Sequence, residues 1–178
     1  MENPIVLDPP PASEYAPFYA GYVAQVRGDD VLAVLEAQVG QVRRLPEGVP
    51  PERETFRYAP GKWSIREVVG HLIDAERVFG YRALCIGRGD RTPLPGFDEV
   101  AYMEAARFDA SGLAALAREF EHVRRGNLAM LHGFDGDAWL RLGVANGSPV
   151  SARALAFILA GHARHHLEVL RQRYGACS

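Results

Sequence analysis

The sequence predicts an all-α protein built as a four-helix bundle. Four segments, each about 15–25 residues long, carry apolar residues at the spacing of one helix face. Capping residues precede these segments, and Gly or Pro follows them. Apart from one short connection, no stretch shows the sustained period-two alternation of a strand. Four amphipathic helices of this length are typical of a bundle around one apolar core.

The first helix is predicted over residues 30–45, behind an N-terminal extension of residues 1–28. Asp30 is the expected N-cap, because its carboxylate can accept from free N–H groups of the first turn. The helix is predicted to end at Leu45, because Pro46 follows it and cannot donate a helical hydrogen bond. Four aromatic residues are expected to hold the extension on the bundle: Tyr15, Phe18, Tyr19 and Tyr22.

The second helix, predicted over residues 65–86, has the clearest start signal. Ser64 and Glu67 match the S-x-x-E capping box, in which each side chain bonds the backbone of the other. Trp63 precedes the cap, where an apolar residue often packs against the first turn. Gly87 follows the last apolar residue and predicts the end of the helix.

The third and fourth helices complete the bundle. The third is predicted to begin at Asp109 or Ser111 and to reach about Leu131. The fourth begins near Ser151 and runs to Tyr174, where a glycine follows.

Long connections separate the last three helices. A short helical piece is expected near residues 99–105. The segment before the fourth helix contains Asn146-Gly147, which is both a turn signal and a hairpin signal, and a short extended piece is predicted there.

Composition excludes several classes of protein. The length of 178 residues favours one domain over residues 1–178, and the net charge of −2 argues against a nucleic-acid-binding role. No apolar run reaches the length of a membrane span, and residues 1–11 do not resemble a signal peptide. Cys85 and Cys177 are far apart, which favours a reduced, cytoplasmic setting.

Three histidines lie on apolar helix faces. His162 and His166 are four residues apart, so their side chains are only about 40° apart around the fourth helix. His71 lies on the apolar face of the second helix. Burying an imidazole without a partner is costly, so each of these rings needs a partner. One interpretation is a divalent metal with three nitrogen ligands and an open fourth position. The other is that each ring is a core histidine bonded to a backbone carbonyl.

His165 competes with its neighbour for a place in this site. It is three residues from His162, which is also a same-face relation. It lies about 100° from His166, on the side away from the apolar residues that follow. We therefore predict a role for His165 at the rim of the site, with ligation in place of His166 as the alternative.

No residue is an evident general base. Ala163 occupies the position of the glutamate in the H-E-x-x-H motif, so the base of a metalloprotease is missing. Asp74 and Glu67 flank His71 at i+3 and i−4. With His165 they are the candidate catalytic residues. Either carboxylate can instead be a fourth ligand, bond an imidazole, or pair with a nearby arginine.

These residues match the motifs of a known family. The frame W-S-x-x-E-x-x-x-H, from Trp63 to His71, resembles the second-helix motif of the DinB/YfiT-like superfamily. Phe97-Asp98-Glu99 resembles the loop after that helix, and the H-x-x-x-H segment at 162–166 resembles the fourth helix. The similarity extends over residues 29–174.

The resemblance implies an up-down four-helix bundle with long, unusual connections, often dimeric. It implies one divalent metal held by His71, His162 and His166, and zinc or nickel suits three imidazoles. The superfamily includes thiol-dependent S-transferases and isomerases as well as metal-dependent hydrolases. We therefore expect a homodimeric enzyme that activates water or a low-molecular-weight thiol towards a small-molecule substrate. The alternatives are a module that binds metal or a small ligand without turnover, and a purely structural role.

Overall fold

The computed structural model of the chain describes residues 7–176. The predicted four-helix bundle is confirmed. The first residues of the N-terminal extension and Cys177 lie outside the described residues. The bundle consists of four long helices: α2 (Val31–Gly48), α3 (Ile65–Gly87), α5 (Leu113–His132) and α7 (Ala152–Tyr174). The shorter elements are α1 (Ala20–Gln25), α4 (Glu99–Ala106), α6 (Gly136–Leu140), β1 (Leu142–Ala145) and β2 (Ser148–Ser151).

The long helices are not arranged in chain order. α2 and α3 each pack against both α5 and α7, so these two consecutive helices lie at opposite corners. One apolar cluster joins the N-terminal halves of α2 and α7 to the C-terminal halves of α3 and α5, and a second cluster joins the other halves. Two helices therefore run one way and two the other, and the neighbours α3 and α5 are parallel. The connection between them must return along the bundle, and it carries α4.

The capping box of α3 is present. The Ser64 hydroxyl accepts from the Glu67 N–H at 3.1 Å, and a Glu67 carboxylate oxygen accepts from the Ser64 N–H at 2.8 Å. The fourth helix ends beside this cap, where the Tyr174 hydroxyl donates to the Trp63 carbonyl at 2.7 Å. His71 follows two turns into the helix that this cap begins.

Two helix boundaries differ from the prediction. α2 continues through Pro46 to Gly48. The proline removes only one hydrogen bond, its fixed φ is helical, and buried Leu45 holds the last turn in the core. α5 begins at Leu113 rather than Asp109 or Ser111. The Asp109 carboxylate is occupied at the start of α3, where it accepts from the Ser64 hydroxyl and from Arg57.

The predicted extended piece is a two-stranded antiparallel hairpin, β1–β2. Asn146 and Gly147 form its turn with φ of 50° and 71°, the positive values that the tight hairpin turn requires. The connection from α3 joins it through Leu94, which donates to Val144 at 2.9 Å and accepts from Asn146 at 3.0 Å. Among the described residues, no helix has both the length and the apolar character needed to cross a bilayer.

Candidate metal centre

The three predicted histidines meet inside the bundle. His71 of α3 and His162 of α7 face each other with their Nε2 atoms 2.9 Å apart. His166 lies one turn further along α7, and its ring centre is 4.9 Å from that of His71 and 4.5 Å from that of His162. One ring nitrogen from each residue lies within 4.8 Å of the others. The structure thus brings together three side chains from two helices that are remote in sequence.

Small residues allow the surrounding elements to approach the cluster. A Cβ at Gly161 would lie 2.0 Å from the Tyr22 carbonyl oxygen, so only glycine allows α1 to pack this closely on α7. This contact places the Tyr22 ring edge-on to His162, with ring centres 5.3 Å apart. Next to His71, Gly70 similarly leaves room for the Phe108 ring. The Trp63 ring packs against the His71 ring, with ring centres 4.8 Å apart.

Burial keeps the three imidazoles neutral. It lowers the pKa of His71 to about 4, against a smaller opposing effect of the Glu99 charge. Burial, and then the neighbouring imidazoles, lower the pKa of His166 to about 3 and the pKa of His162 well below its usual range. Each ring therefore presents a free lone pair at neutral pH, which is the protonation state that a metal requires.

The arrangement fits a divalent metal better than it fits three core histidines. Three nitrogens at about 2.1 Å from one tetrahedral ion lie about 3.4 Å from each other. The 2.9 Å contact and the 4.8 Å limit bracket this value, so small side-chain rotations suffice. Within residues 7–176, none of the three rings bonds a backbone carbonyl, which is the partner expected of a core histidine.

A cavity of about 250 Å³ opens beside His71 and His162. A cavity of this size suits a small ligand, and mixed apolar and polar walls are typical of such sites. Its aromatic lining comes from the extension, α3 and the long connection: Phe18, Tyr19, Tyr22, Phe79 and Phe97. Its polar lining consists of Arg82, Glu99 and Asn146.

Glu99 is a site residue that was not identified from the sequence. The Asp98 carboxylate caps α4 by accepting from Val100 and Ala101, and this sets Glu99 at the first position of that helix. Burial raises the pKa of the Tyr22 phenol most, and the negative charge of Glu99 raises it further. The same charge raises the pKa of His71, against the larger lowering by burial. The only sequence signal was its place in the Phe97-Asp98-Glu99 run. A carboxylate beside the cavity is able to accept a proton there.

The structure does not bring Glu67 or Asp74 to the cavity. The Glu67 carboxylate is occupied by the Ser64 N–H and by both ends of the Arg57 guanidinium. Burial raises the pKa of Asp74, and Arg77, 3.9 Å away, opposes this. Both carboxylates therefore pair with a nearby arginine, which is one of the alternatives that the sequence left open.

His165 lies at the edge of the cluster and does not line the cavity. Its ring centre is 5.1 Å from that of His166 and 5.6 Å from that of Tyr22. This is the rim position expected from its place on the helix.

A buried polar network supports α7 behind the histidines. Arg124 is fully buried and forms a two-pronged pair with Glu76 at 2.7 and 2.8 Å. It also donates to the Gln38 side chain at 2.9 Å, and Gln38 donates to the Ala160 carbonyl at 2.7 Å. Ala160 is two residues before His162, so this network fixes the helix segment that carries His162.

The sequence matches the model of a known family. The profile of the DinB superfamily matches residues 24–170. The chain belongs to the DinB superfamily. No curated protein matches this DinB-superfamily chain.

Solved structures share the fold. YfiT from Bacillus subtilis, described as a probable metal-dependent hydrolase with an unusual four-helix bundle topology, superposes with a TM-score of 0.75 at 18% identity, over 94% of each chain. A mycothiol-dependent maleylpyruvate isomerase gives 0.64 at 17% identity, over 78% of this chain and 58% of the isomerase. The DinB-like protein YjoA from Bacillus subtilis gives 0.56 at 20% identity, over 83% of this chain and 92% of YjoA.

Proposed function

We propose that this DinB-superfamily chain is a metal-dependent enzyme. His71, His162 and His166 bind one divalent ion, zinc or nickel. The observation that carries the proposal is the convergence of three neutral imidazoles on one point at the wall of a cavity. A purely structural role would need only the hydrogen bond between His71 and His162, and it would not explain why a third neutral imidazole, His166, lies beside them.

When bound, such an ion lowers the pKa of a water or thiol in its open position, so that a nucleophile forms near neutral pH. The chain supplies the rest of the chemistry. Glu99 is the proton acceptor, because it lines the cavity and forms no ion pair with an arginine of residues 7–176. The Tyr22 and Phe79 rings exclude bulk water from the His162 side of the site.

The relatives support two nucleophiles. YfiT, which matches over nearly its whole length, is described as a hydrolase, which implies water. The isomerase depends on mycothiol, a small thiol, but this chain spans 58% of it. The substrate of the isomerase, maleylpyruvate, is a small molecule, and we propose a small-molecule substrate here. We further propose a single domain over residues 1–178 that acts in the cytoplasm.

A thiol-consumption and ester-hydrolysis screen on the metal-loaded protein tests the proposal. Activity should disappear on exhaustive chelation and return on addition of zinc or nickel. E99Q should lower kcat by about 100-fold or more, as expected for loss of a positioned acid or base. E104Q is the matched control, because Glu104 is exposed one turn further along α4 and does not line the cavity. Activity that survives chelation and H166A would refute the metal mechanism.

A further inference from the structure

One wall of the cavity holds a buried arginine that forms no ion pair with any residue the structure describes. Arg82 is 3% exposed. Its guanidinium donates one hydrogen bond, to the Pro95 carbonyl at 2.7 Å, and its central carbon lies 5.3 Å from the centre of the Phe79 ring. No carboxylate of residues 7–176 forms an ion pair with it. Buried charges are normally paired, because an unpaired one loses its hydration without compensation.

The contrast with Arg124 shows what a satisfied buried arginine looks like in this chain. Arg124 binds both oxygens of Glu76 and two further acceptors, so its charge is neutralised inside the bundle. Arg82 has no such carboxylate partner within the described part of the chain and instead lines the space beside the histidines. Its donors beyond the Pro95 bond remain for a molecule in that space.

Arg82 and the histidines are placed to hold two ends of one small ligand. Arg82 follows His71 by eleven residues, three helical turns, so both lie on nearly the same face of α3. Its guanidinium carbon is 5.3 Å from the Phe79 ring centre, which is 6.4 Å from the His162 ring centre. The guanidinium is therefore no more than about 12 Å from that imidazole.

We propose that Arg82 binds a carboxylate of the substrate while the reacting atom lies beside the three histidines. A guanidinium presents two parallel donors that match the two oxygens of a carboxylate. Asn146, on the hairpin turn, lines the same cavity and offers a further amide donor. This inference rests on the proposed function and narrows its substrate class to small carboxylic acids with an apolar body.

Charge within the cavity sets the orientation of the acid. Glu99 lines the cavity together with His71 and Tyr22, and its negative charge raises the pKa of both groups. A ligand carboxylate at that end would meet a like charge. The Arg82 end offers the opposite charge, so the acid group is directed there and away from the histidines.

Cobalt-loaded protein provides the test, with mercapto carboxylates of three to six carbons and the mercapto alcohols of the same lengths as probes. The cobalt spectrum reports the metal site, and titration calorimetry gives the affinity of each probe. At the best length the acid should bind about tenfold or more tightly than its alcohol, as expected for a charge-assisted hydrogen bond. R82Q should abolish this preference and leave alcohol binding within about twofold.

Two further variants serve as a replacement and as a control. R82M removes the same charge, and its unbranched side chain still packs on Phe79, so it replaces R82Q if that variant does not fold. R88Q, at an exposed arginine just beyond α3, should keep the full preference. Equal affinities for acid and alcohol in the wild type, or a preference that survives R82Q or R82M, would overturn the assignment. An absent cobalt spectrum with a retained acid preference would instead refute the metal site and keep the role of Arg82.

Discussion

The Nε2 atoms of His71 and His162 lie 2.9 Å apart, although 91 positions separate the two residues in the chain. Both rings are neutral at neutral pH, because burial lowers the pKa of each. In the metal-free chain, the Nε2–H of one ring donates a hydrogen bond to the Nε2 of the other. His166 adds a third nitrogen within 4.8 Å. The bundle therefore holds three basic groups close together in a place where none of them can readily be protonated.

The metal-free protein should lose stability as the pH falls below about 6.5, the ordinary histidine pKa. Unfolded histidines bind protons there, whereas His71 and His166 stay neutral until about pH 4 and pH 3. The unfolded state thus holds more protons, so the free energy of unfolding decreases as pH decreases. The slope should reach about 1.4 kcal/mol per pH unit for each buried histidine.

Urea unfolding of chelated protein at pH 7.5 to 4.5 measures this slope. H122N should show the same slope, because His122 is exposed on α5. H71N should show a shallower one. An unchanged slope in H71N would contradict the account of the buried imidazoles.

S64A should lower the free energy of unfolding by about 1–2 kcal/mol, because it removes the cap of α3. Ser64 is fully buried and also donates to Asp109, so two contacts disappear together. Fraying of the first two turns should also weaken metal affinity, since His71 lies there. S111A serves as control at an exposed serine before α5, and thermal melts with metal titrations compare the two. If S64A matches S111A in both measurements, the cap does not support the site.

E76Q should destabilise the protein by about 3–5 kcal/mol, the cost of leaving a buried charge unpaired. Arg124 would then lie fully buried without its carboxylate. Glu121 pairs with Arg125 and Arg43 at a more exposed position, so E121Q should destabilise the protein far less. Denaturant unfolding measures the free energy of unfolding of both variants. An equal decrease in E76Q and E121Q would show that the buried pair stabilises the protein no more than the exposed one.

The protein should be a homodimer, as the family resemblance implies. Large apolar side chains remain exposed on the described surface, among them Tyr81 at 58% and Leu142 at 56%. Light scattering at micromolar concentration should give twice the chain mass. A monomer under these conditions would show that the isolated chain does not dimerise.

Local signals allowed the helices to be predicted from the sequence. Asp30, Ser64 and Ser151 each accept hydrogen bonds from the first turn of the helix that follows, and such caps depend only on nearby residues. The hairpin followed from Asn146-Gly147 for the same reason. The start of α5 was wrong because the Asp109 carboxylate bonds a distant helix cap instead of its own helix.

The site was less predictable, because it depends on which helices are neighbours. Helical phase placed His162 and His166 on one face, but only the folded bundle brings His71 to them. Glu99 lies on the connection between α3 and α5, and the path of this connection depends on the parallel arrangement of those two helices. No local sequence pattern predicts that arrangement. Glu67 illustrates a conflict that was already visible: the capping box that the sequence predicted uses the same carboxylate proposed for catalysis.

The sequence also contained a signal that Arg82 lies near the histidines. It lies three turns after His71 on the same helix face, so a polar side chain there pointed towards the same interior space. An arginine on that face is usually paired, and only the folded chain reveals that Arg82 has no ionic partner among residues 7–176.

The most direct test of the metal centre is the metal content of protein prepared without a polyhistidine tag or added metal. Elemental analysis should find about one zinc or nickel ion per chain, the occupancy expected of one three-histidine site. H162A should bring the content close to zero, whereas H165A, at the rim, should keep most of it. Wild-type protein without stoichiometric metal, or H162A with as much metal as the wild type, would contradict the assignment of His71, His162 and His166 as ligands.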